Sequence, residues 1–287
     1  MSAINNIATQ HEREIAAGGR FSFGRNWASF LKRLNQARIA EAEKNLIEFL
    51  GEKSLASRSF LDVGSGSGLS SLAARRLGAT VTSFDYDGQS VACTEELRRR
   101  YLPDDSSWII EQGSVLDTEY LLGLGQFDVV YSWGVLHHTG AMWQAMANLK
   151  TMVKPGGLLF IAIYNDCGEV SRSWLERKRR YNALPQMLRP FYAIYVWTPQ
   201  ELRSLAGSIC SGELRTYIRE LTSASSVRGM SWLHDVIDWV GGYPYEYASV
   251  SDITEFYRRD GFAPVKIREN KSFGCHQLVF KRLVTQG

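Results

Sequence analysis

A glycine-rich loop follows a short apolar run near residue 60. The run Phe60–Val63 contains Asp62 and leads into the loop Gly64–Gly68, whose sequence is GSGSG. Small residues here let a ligand approach the backbone where the following helix begins. The spacing is GxGxG, and Leu69 occupies the position where a dinucleotide-binding loop needs its third glycine. The loop therefore predicts a small-ligand site and argues against a nicotinamide-dependent oxidoreductase.

Two carboxylates constrain the ligand. Asp62 would repel a pyrophosphate, but it suits a ligand that carries an ammonium group and a sulfonium. Asp85 ends the next apolar run, where a carboxylate can accept both ribose hydroxyls of an adenosine. The alternative for Asp85 is a plain helix cap. Together the two residues favour an adenosine-containing ligand with a positive charge.

Two histidines are candidates for acid–base chemistry. His138 follows the fourth predicted strand, at the sheet edge where ligands bind, and His234 lies in a later helical segment. A histidine can take a proton from a hydroxyl group near neutral pH. We rank His234 as the base and His138 as a positioning residue. The alternatives are a His138 that bonds to backbone and an interhelical or surface His234.

Short apolar runs alternate with helical patterns between residues 59 and 164. Strands are predicted at Phe60–Val63, Thr80–Phe84, Trp108–Glu111, Phe127–Ser132 and Leu158–Tyr164, and helices at Leu69–Leu77, Gln89–Arg100 and Met142–Val153. A turn is predicted at Lys154–Gly157. This alternation indicates a doubly wound α/β fold with a parallel sheet and helices on both faces.

The chain end continues this pattern after an interruption. A helix is predicted at Val250–Asp260, followed by strands at Pro264–Arg268 and Gln277–Lys281. The connection between these strands is too short for a crossover helix, so they are expected to pair antiparallel. Four parts are predicted: an N-terminal arm and helix (1–58), a ligand-binding core (59–165), a helical substrate-lid insertion (166–248), and a C-terminal helix and strands (249–287).

The N-terminal part contains an amphipathic helix, predicted at Gln36–Leu50 with Gly51 as its C-terminal cap. The preceding segment Gly18–Trp27 is rich in glycine and aromatic residues, which predicts a folded arm. Either the arm packs on its own domain or it covers a cofactor or substrate.

The insertion is helical and aromatic. It has more aromatic side chains than one thin helical layer can bury in its own core, which predicts an apolar or aromatic pocket for a substrate. Packing on the sheet domain or in a homodimer is the alternative. The basic run Arg177–Arg180 is read as a solvated helix face, with an anionic acceptor or peripheral membrane contact as alternatives.

Composition bounds the remaining function classes. The formal charge of +3 over 287 residues favours no nucleic-acid partner. Four scattered cysteines without a CxxC pair predict reduced thiols, a cytoplasmic protein and no zinc site. The first 20 residues lack the apolar core of a signal peptide, and no apolar stretch reaches the length of a membrane span. No acidic cluster has metal-ligand spacing, so no metal is expected.

The loop and its acids resemble the first motifs of the class I S-adenosylmethionine-dependent methyltransferases. The resemblance runs from about Phe60 to Tyr164 and again over the final strands. It implies a seven-stranded sheet with a reversed last strand and S-adenosylmethionine as cofactor. The cofactor-binding residues that it implies are Asp62, Gly64, Ser65, Gly66, Gly68, Asp85, Tyr86, Asp87, Ser114, Val115, Ser132 and Trp133.

One position departs from the family pattern. Ser114 stands where the family commonly has an aspartate that contacts the adenine amino group. Its hydroxyl, the Val115 backbone or Asp117 are the substitutes.

The resemblance implies methyl transfer to a small molecule by direct in-line displacement, which needs positioning more than covalent activation. A hydroxyl oxygen is the favoured acceptor atom. Transfer to nitrogen or carbon, a lipid-like quinone acceptor, and a catalytically silent cofactor-binding module are the alternatives. Tyr164, Trp232 and Tyr243 are the candidate acceptor-binding residues.

Overall fold

One seven-stranded sheet forms the centre of the part of the chain that the computed structural model describes, which is residues 2–211, 232–270 and 274–284. The strand order is β3-β2-β1-β4-β5-β7-β6. In chain order the strands are β1 (Ser59–Val63), β2 (Thr80–Asp85), β3 (Trp108–Gln112), β4 (Phe127–Trp133), β5 (Val153–Tyr164), β6 (Phe262–Arg268) and β7 (Cys275–Arg282).

The sheet is parallel except at one end. Strands β1 to β5 run parallel to their neighbours, and β7 lies antiparallel between β5 and β6. The predicted doubly wound sheet with its reversed last strand is therefore confirmed. The short connection between β6 and β7 leaves no room for the crossover helix that a parallel pair requires.

Helices cover both faces of the sheet. One face carries α3 (Gln36–Leu50), α4 (Leu69–Arg76) and α5 (Gly88–Tyr101). The other carries α6 (Thr118–Leu124), α7 (Met142–Met152) and α11 (Val250–Arg258). Successive side chains of a strand point to opposite faces, so Phe60 and Leu61 of β1 lie in two separate apolar cores.

The structure differs from the sequence prediction at three helices. The N-terminal arm contains α1 (Ser2–Ala16) and α2 (Gly24–Leu31), neither of which was predicted, and α6 was also not predicted. Helices α2 and α6 have 8 and 7 residues, too few for a clear helical period. The predicted α3 is confirmed, with Asn35 accepting the Arg38 N–H at its start and Gly51 at φ 73° at its end.

Strand β5 also begins earlier than predicted. The residues expected to form a turn, Lys154–Gly157, lie inside the strand. Val153 pairs with Phe127 and Leu158 with Val129, so the register shifts between these pairs and the extra residues form an irregular bulge. Gly156, at φ 79°, provides the backbone conformation that this bulge needs.

The insertion contains α8 (Glu169–Ala183), α9 (Arg189–Cys210) and α10 (Trp232–Gly241) within the described residues. Its two ends meet where Asn165 forms a parallel bridge with Ala248. Its own apolar cluster includes Trp174, Tyr181 and Tyr245. None of the helices of the described chain is both long and apolar enough to cross a bilayer.

Candidate functional site

The glycine loop lies between β1 and α4 and is closely packed on three sides. Gly64, Gly66 and Gly68 all have positive φ, at 78°, 56° and 79°. A Cβ atom at Gly64 would lie 2.4 Å from Val135 Cγ1, and one at Gly66 would lie 2.9 Å from the Trp27 ring. Both the backbone conformation and the space therefore require glycine.

Ser65 is fixed within the same loop. Its hydroxyl bonds with Thr94 Oγ1 of α5 at 2.9 Å, and its backbone N–H donates to the Phe84 carbonyl at 3.1 Å. The loop is thus held against both β2 and α5.

Asp85, at the carboxyl end of β2, holds the loop through backbone hydrogen bonds. Its carboxylate accepts the Gly66 N–H at 2.9 Å and the Asp87 N–H at 2.9 Å. Burial raises the pKa of Asp85 to about 6. Each carboxylate oxygen has a further lone pair, so Asp85 retains acceptor capacity for a ligand hydroxyl.

Asp62 is the second carboxylate of the loop region, and only 2% of its surface is exposed. It accepts the Ser71 hydroxyl at 2.6 Å. Burial raises the pKa of Asp62 to about 7. A nearby cation would offset the cost of its desolvated charge.

The N-terminal arm crosses the residues that follow β2. The Gly24 N–H donates to Asp87 Oδ2 at 2.9 Å, while Asp87 Oδ1 accepts the Gln89 N–H at the start of α5. The Tyr86 hydroxyl donates to Glu14 at 3.2 Å, and the Arg20 guanidinium lies 4.9 Å from the Tyr86 ring centroid. The arm therefore covers the predicted adenosine side of the site.

The polar side chains of the loop after β3 form hydrogen bonds mainly within the loop and at the start of α6. The Ser114 hydroxyl accepts the Leu116 N–H at 3.2 Å, and Asp117 caps α6 by accepting the Tyr120 N–H at 3.0 Å. The Val115 carbonyl accepts from Asn148 at 2.8 Å. Among the described residues, the Val115 N–H has no competing hydrogen bond, which leaves it as the available substitute.

The end of β4 contributes one buried and one exposed residue. Ser132 is fully buried, and its hydroxyl donates to the Val63 carbonyl at 3.0 Å. Trp133 is 48% exposed and lines a cavity of about 180 Å³ together with Ser70 and Tyr131. Ser132 therefore joins β4 to β1, and Trp133 is the one of the two whose side chain is accessible.

The short 3₁₀ turn Leu136–His138 follows β4 and brings two histidines onto Tyr164. Their ring centroids lie 3.9 Å (His137) and 5.5 Å (His138) from that of Tyr164. His138 Nδ1 lies 2.6 Å from the Pro244 carbonyl oxygen, so Nδ1 carries the proton and Nε2 has the free lone pair. Burial lowers the pKa of His138 to about 3.

The segment after α10 is anchored on this turn. The Glu246 N–H donates to the His137 carbonyl at 2.9 Å, and the Glu246 carboxylate accepts the Met142 N–H at 3.0 Å. The Tyr243 carbonyl accepts the Phe21 N–H at 2.8 Å. The side chains of Trp232 and His234, both in α10, lie outside the described residues.

The structure adds four residues to those predicted. Trp27 packs on Gly66, Arg20 donates to the His138 carbonyl at 2.9 Å, His137 stacks on Tyr164, and Lys178 is buried in the insertion. Only the glycine- and aromatic-rich arm gave a sequence signal for the first two. A lysine within a basic run gives no sign that it is buried while its neighbours are exposed.

The comparisons with known proteins agree with this geometry. Residues 31–208, more than half of the chain, match the family described as "Methyltransferase domain". Over 107 residues the chain is 36% identical to the Ubiquinone biosynthesis O-methyltransferase of Brucella melitensis biotype 2. The matched segment covers 37% of this chain and 41% of that protein. A protein of the same name from Parvibaculum lavamentivorans is 33% identical over 112 residues, covering 37% of this chain and 40% of that protein. The match thus spans about two fifths of the length of these curated relatives.

Two solved structures share the fold at low sequence identity. Magnesium protoporphyrin IX methyltransferase from Synechocystis PCC 6803 with bound SAH has a TM-score of 0.50 at 13% identity, covering 96% of this chain and 94% of that one. PKMT2 from Rickettsia typhi in complex with AdoHcy has a TM-score of 0.53 at 11% identity, covering 83% of this chain and 52% of that one. At this identity the likeness concerns the fold alone.

Proposed function

Because the chain belongs to the methyltransferase domain family, we propose that it transfers a methyl group from S-adenosylmethionine to a hydroxyl oxygen of a small molecule. That it is an S-adenosylmethionine-dependent methyltransferase follows from the family match over residues 31–208. The oxygen acceptor and the roles of individual residues are the proposal.

The side chains around the loop fit the chemistry of this cofactor. Asp85 ends β2 with acceptor capacity for a ribose diol, and the buried Asp62 suits an ammonium group. Bound there, the cofactor supplies a methyl group on a sulfonium sulfur, an electrophile that needs no covalent activation. The chain's own task is to hold the acceptor in line and exclude water.

The proposal rests on the contacts between the turn Leu136–His138, which follows β4, and the aromatic side chains of the insertion. Tyr164 contacts both histidines and also lies 5.2 Å from Tyr245 and 5.9 Å from Trp239 between ring centroids. We assign residues 166–248 as a substrate lid, with Tyr164, Trp232 and Tyr243 as acceptor-binding residues. Relatives named O-methyltransferases support oxygen as the acceptor atom.

His138 fits a positioning role. Its Nδ1–H bond to Pro244 joins the β4 turn to the lid, and its lowered pKa means that it carries no second proton at neutral pH. His234 is retained as the candidate base, because its helix α10 packs on α8 and α9 within the insertion.

The test begins with ligand binding by calorimetry. S-adenosylhomocysteine is expected to bind and NAD is not, and the reverse would contradict the proposal. Labelled S-adenosylmethionine is then offered with hydroxyl, amine and carbon acceptors, with and without EDTA. Transfer to a hydroxyl that survives EDTA is expected. Cofactor binding without transfer to any acceptor would instead indicate a silent binding module.

A further inference from the structure

The charges that face the two histidines of the β4 turn are positive. Lys178, from α8, acts on both His137 and His138 through space, and Arg20, from the N-terminal arm, acts on His138. Glu14 pairs with Arg20 Nε at 2.7 Å, while Nη1 and Nη2 of the same guanidinium donate to the His138 and Thr139 carbonyls of the turn. A negative ligand at the turn would therefore gain electrostatic energy.

His137 presents a donor with no protein partner among the described residues. Its Nδ1 accepts the Tyr164 N–H at 3.3 Å, so in the neutral ring the proton lies on Nε2. That Nε2 atom is buried without a hydrogen bond, and the side chain is 1% exposed. A buried unpaired N–H is costly, and an acceptor oxygen from a ligand would satisfy it.

Lys178 places a positive charge beside aromatic rings in the same region. It is 1% exposed, and its ammonium donates to the Trp239 carbonyl. Its Nζ lies 5.0 Å from the Tyr245 ring centroid and 5.3 Å from that of Trp239. Both rings also contact Tyr164, which stacks on His137. A buried cation, a free N–H donor and aromatic walls thus adjoin one another.

We propose that this cluster, formed by His137, Tyr164, Lys178, Trp239 and Tyr245, binds the methyl acceptor as an aromatic oxyanion of the phenolate class. The acceptor oxygen takes the His137 Nε2–H bond and faces the charge of Lys178, while its ring lies among the aromatic side chains. The hydroxyl proton leaves to solvent when the acceptor binds. This inference rests on the proposed function and names its substrate class.

Two consequences distinguish this arrangement from a general-base site. An acceptor already bound as its anion has the nucleophilic lone pair exposed, so transfer needs no protein base and this inference gives His234 no proton to remove. A protonated amine is disfavoured, because its charge would face Lys178 and Arg20. The rings are packed against one another in this structure, so the acceptor enters when α10 and the segment through Glu246 move from the turn.

The probe is 4-nitrophenol, whose anion absorbs visible light and whose neutral form does not. It is titrated into the full chain saturated with S-adenosylhomocysteine, at a pH below the solution pKa of the probe. Appearance of the nitrophenolate band on binding is expected. 4-Nitroanisole, which cannot ionise, is expected to bind at least about tenfold more weakly, which corresponds to about 1.4 kcal/mol. Binding of the phenol without the band, equal binding of the anisole, or no binding of either overturns the inference.

Matched variants locate the oxyanion contacts. Lys178→Met and His137→Gln are each expected to weaken nitrophenolate binding about tenfold or more. Lys150→Met and His276→Gln are the controls. Lys150 also has its ammonium over an aromatic ring, on α7. His276 is also a buried histidine, but it pairs with Ile163, so its side chain points to the opposite face of the sheet from that of Tyr164. If the two test variants bind nitrophenolate as tightly as the controls, the assignment is wrong.

Measured cofactor binding distinguishes a failure of this inference from a failure of the proposed function. S-adenosylhomocysteine affinity is measured by calorimetry for every variant and reports folding of the cofactor site. If Lys178→Met does not fold, the wild-type band and His137→Gln decide the question. Wild-type protein that binds S-adenosylhomocysteine but gives no band contradicts this inference alone, whereas wild-type protein that does not bind S-adenosylhomocysteine contradicts the proposed function.

Discussion

Single side chains at the strand ends have structural roles beside the ligand-binding roles that we propose for them. Asp85 is the clearest case, because its carboxylate fixes the glycine loop through Gly66 and the next turn through Asp87. A substitution that removes the side chain would disturb both. A substitution of the same shape, Asp85→Asn, removes the negative charge and keeps the size of the side chain.

Asp85→Asn is expected to weaken S-adenosylhomocysteine binding by about 2 kcal/mol, because it removes a charge-assisted acceptor of the ribose hydroxyls. The ionised carboxylate is the better acceptor and its pKa is raised to about 6, so wild-type affinity should fall as pH drops through 6. The variant should lack this pH dependence. Calorimetry from pH 5 to pH 8 measures both effects, with Asp105→Asn as a control remote from the loop. Equal, pH-independent affinity of wild type and Asp85→Asn would mean that Asp85 does not hold the ribose.

His138→Ala is expected to lower the transfer rate about 100-fold, because loss of the bond to Pro244 shifts the lid relative to the turn and misplaces the acceptor. S-adenosylhomocysteine affinity should stay unchanged. His138→Gln can still donate to the carbonyl and should restore part of the rate. Rates are measured against pH beside thermal melts. A variant that loses a titration step near neutral pH would indicate a general base instead.

At the level of elements, the β4 turn is contacted from two sides. The N-terminal arm reaches it through Arg20 and through Phe23, whose ring centroid lies 4.9 Å from that of His138. The insertion reaches it through Pro244 and Glu246. The cofactor loop and the acceptor cluster are thus both covered by segments outside the sheet.

The segment from α10 through Tyr247 is expected to gain amide protection when cofactor and acceptor bind. Gly241 ends α10 and Gly242 follows it, before the anchored residues, and these glycines permit the backbone changes of a closing lid. Hydrogen exchange is measured for free protein, with S-adenosylhomocysteine, and with 4-nitrophenol added. Helix α7, in the sheet domain, is the internal control. Equally slow exchange in all three states would make this segment a fixed wall.

For the whole molecule, buried titratable groups couple folding to pH with opposite signs. Asp62 has its pKa raised to about 7 by burial, so its folded state retains a proton that the unfolded chain has lost. His137 and His138 have lowered pKa values, so their contribution to stability is lost as pH falls below about 6.5. The two kinds of group partly compensate.

Asp62→Asn is expected to leave stability nearly unchanged near pH 4 and to raise it at pH 8. The reason is that wild type loses up to about 1.4 kcal/mol per pH unit between about pH 4 and 7, where this carboxyl is ionised in the unfolded chain but still protonated in the folded protein. Urea unfolding at several pH values measures the difference. Asp105→Asn should show the opposite sign, because its bond to Arg75 lowers the pKa of Asp105. An Asp62→Asn effect that is independent of pH would mean that burial does not raise the pKa of this carboxyl.

The sequence by itself determined the sheet, the alternation of its strands with helices α3, α4, α5, α7 and α11, and the glycine loop after β1. Strand and helix periodicities, the GxGxG spacing and the short final connection are local in the chain, so each can be recognised without knowing what lies opposite. Gly64–Gly68 and Asp85 were found in this way, and the structure has the seven-stranded sheet that they implied.

Only the tertiary structure decided what covers the site. Trp27 meets Gly66 across 39 positions of the chain, and His138 meets Pro244 across 106. Lys178 in the basic run is buried because α8 turns that one residue toward α10, while Arg177, Arg179 and Arg180 are exposed. Such contacts depend on how separate elements pack, and no pattern within one segment specifies them. The sequence thus predicts where the cofactor binds, whereas packing determines which side chains form the proposed acceptor cluster.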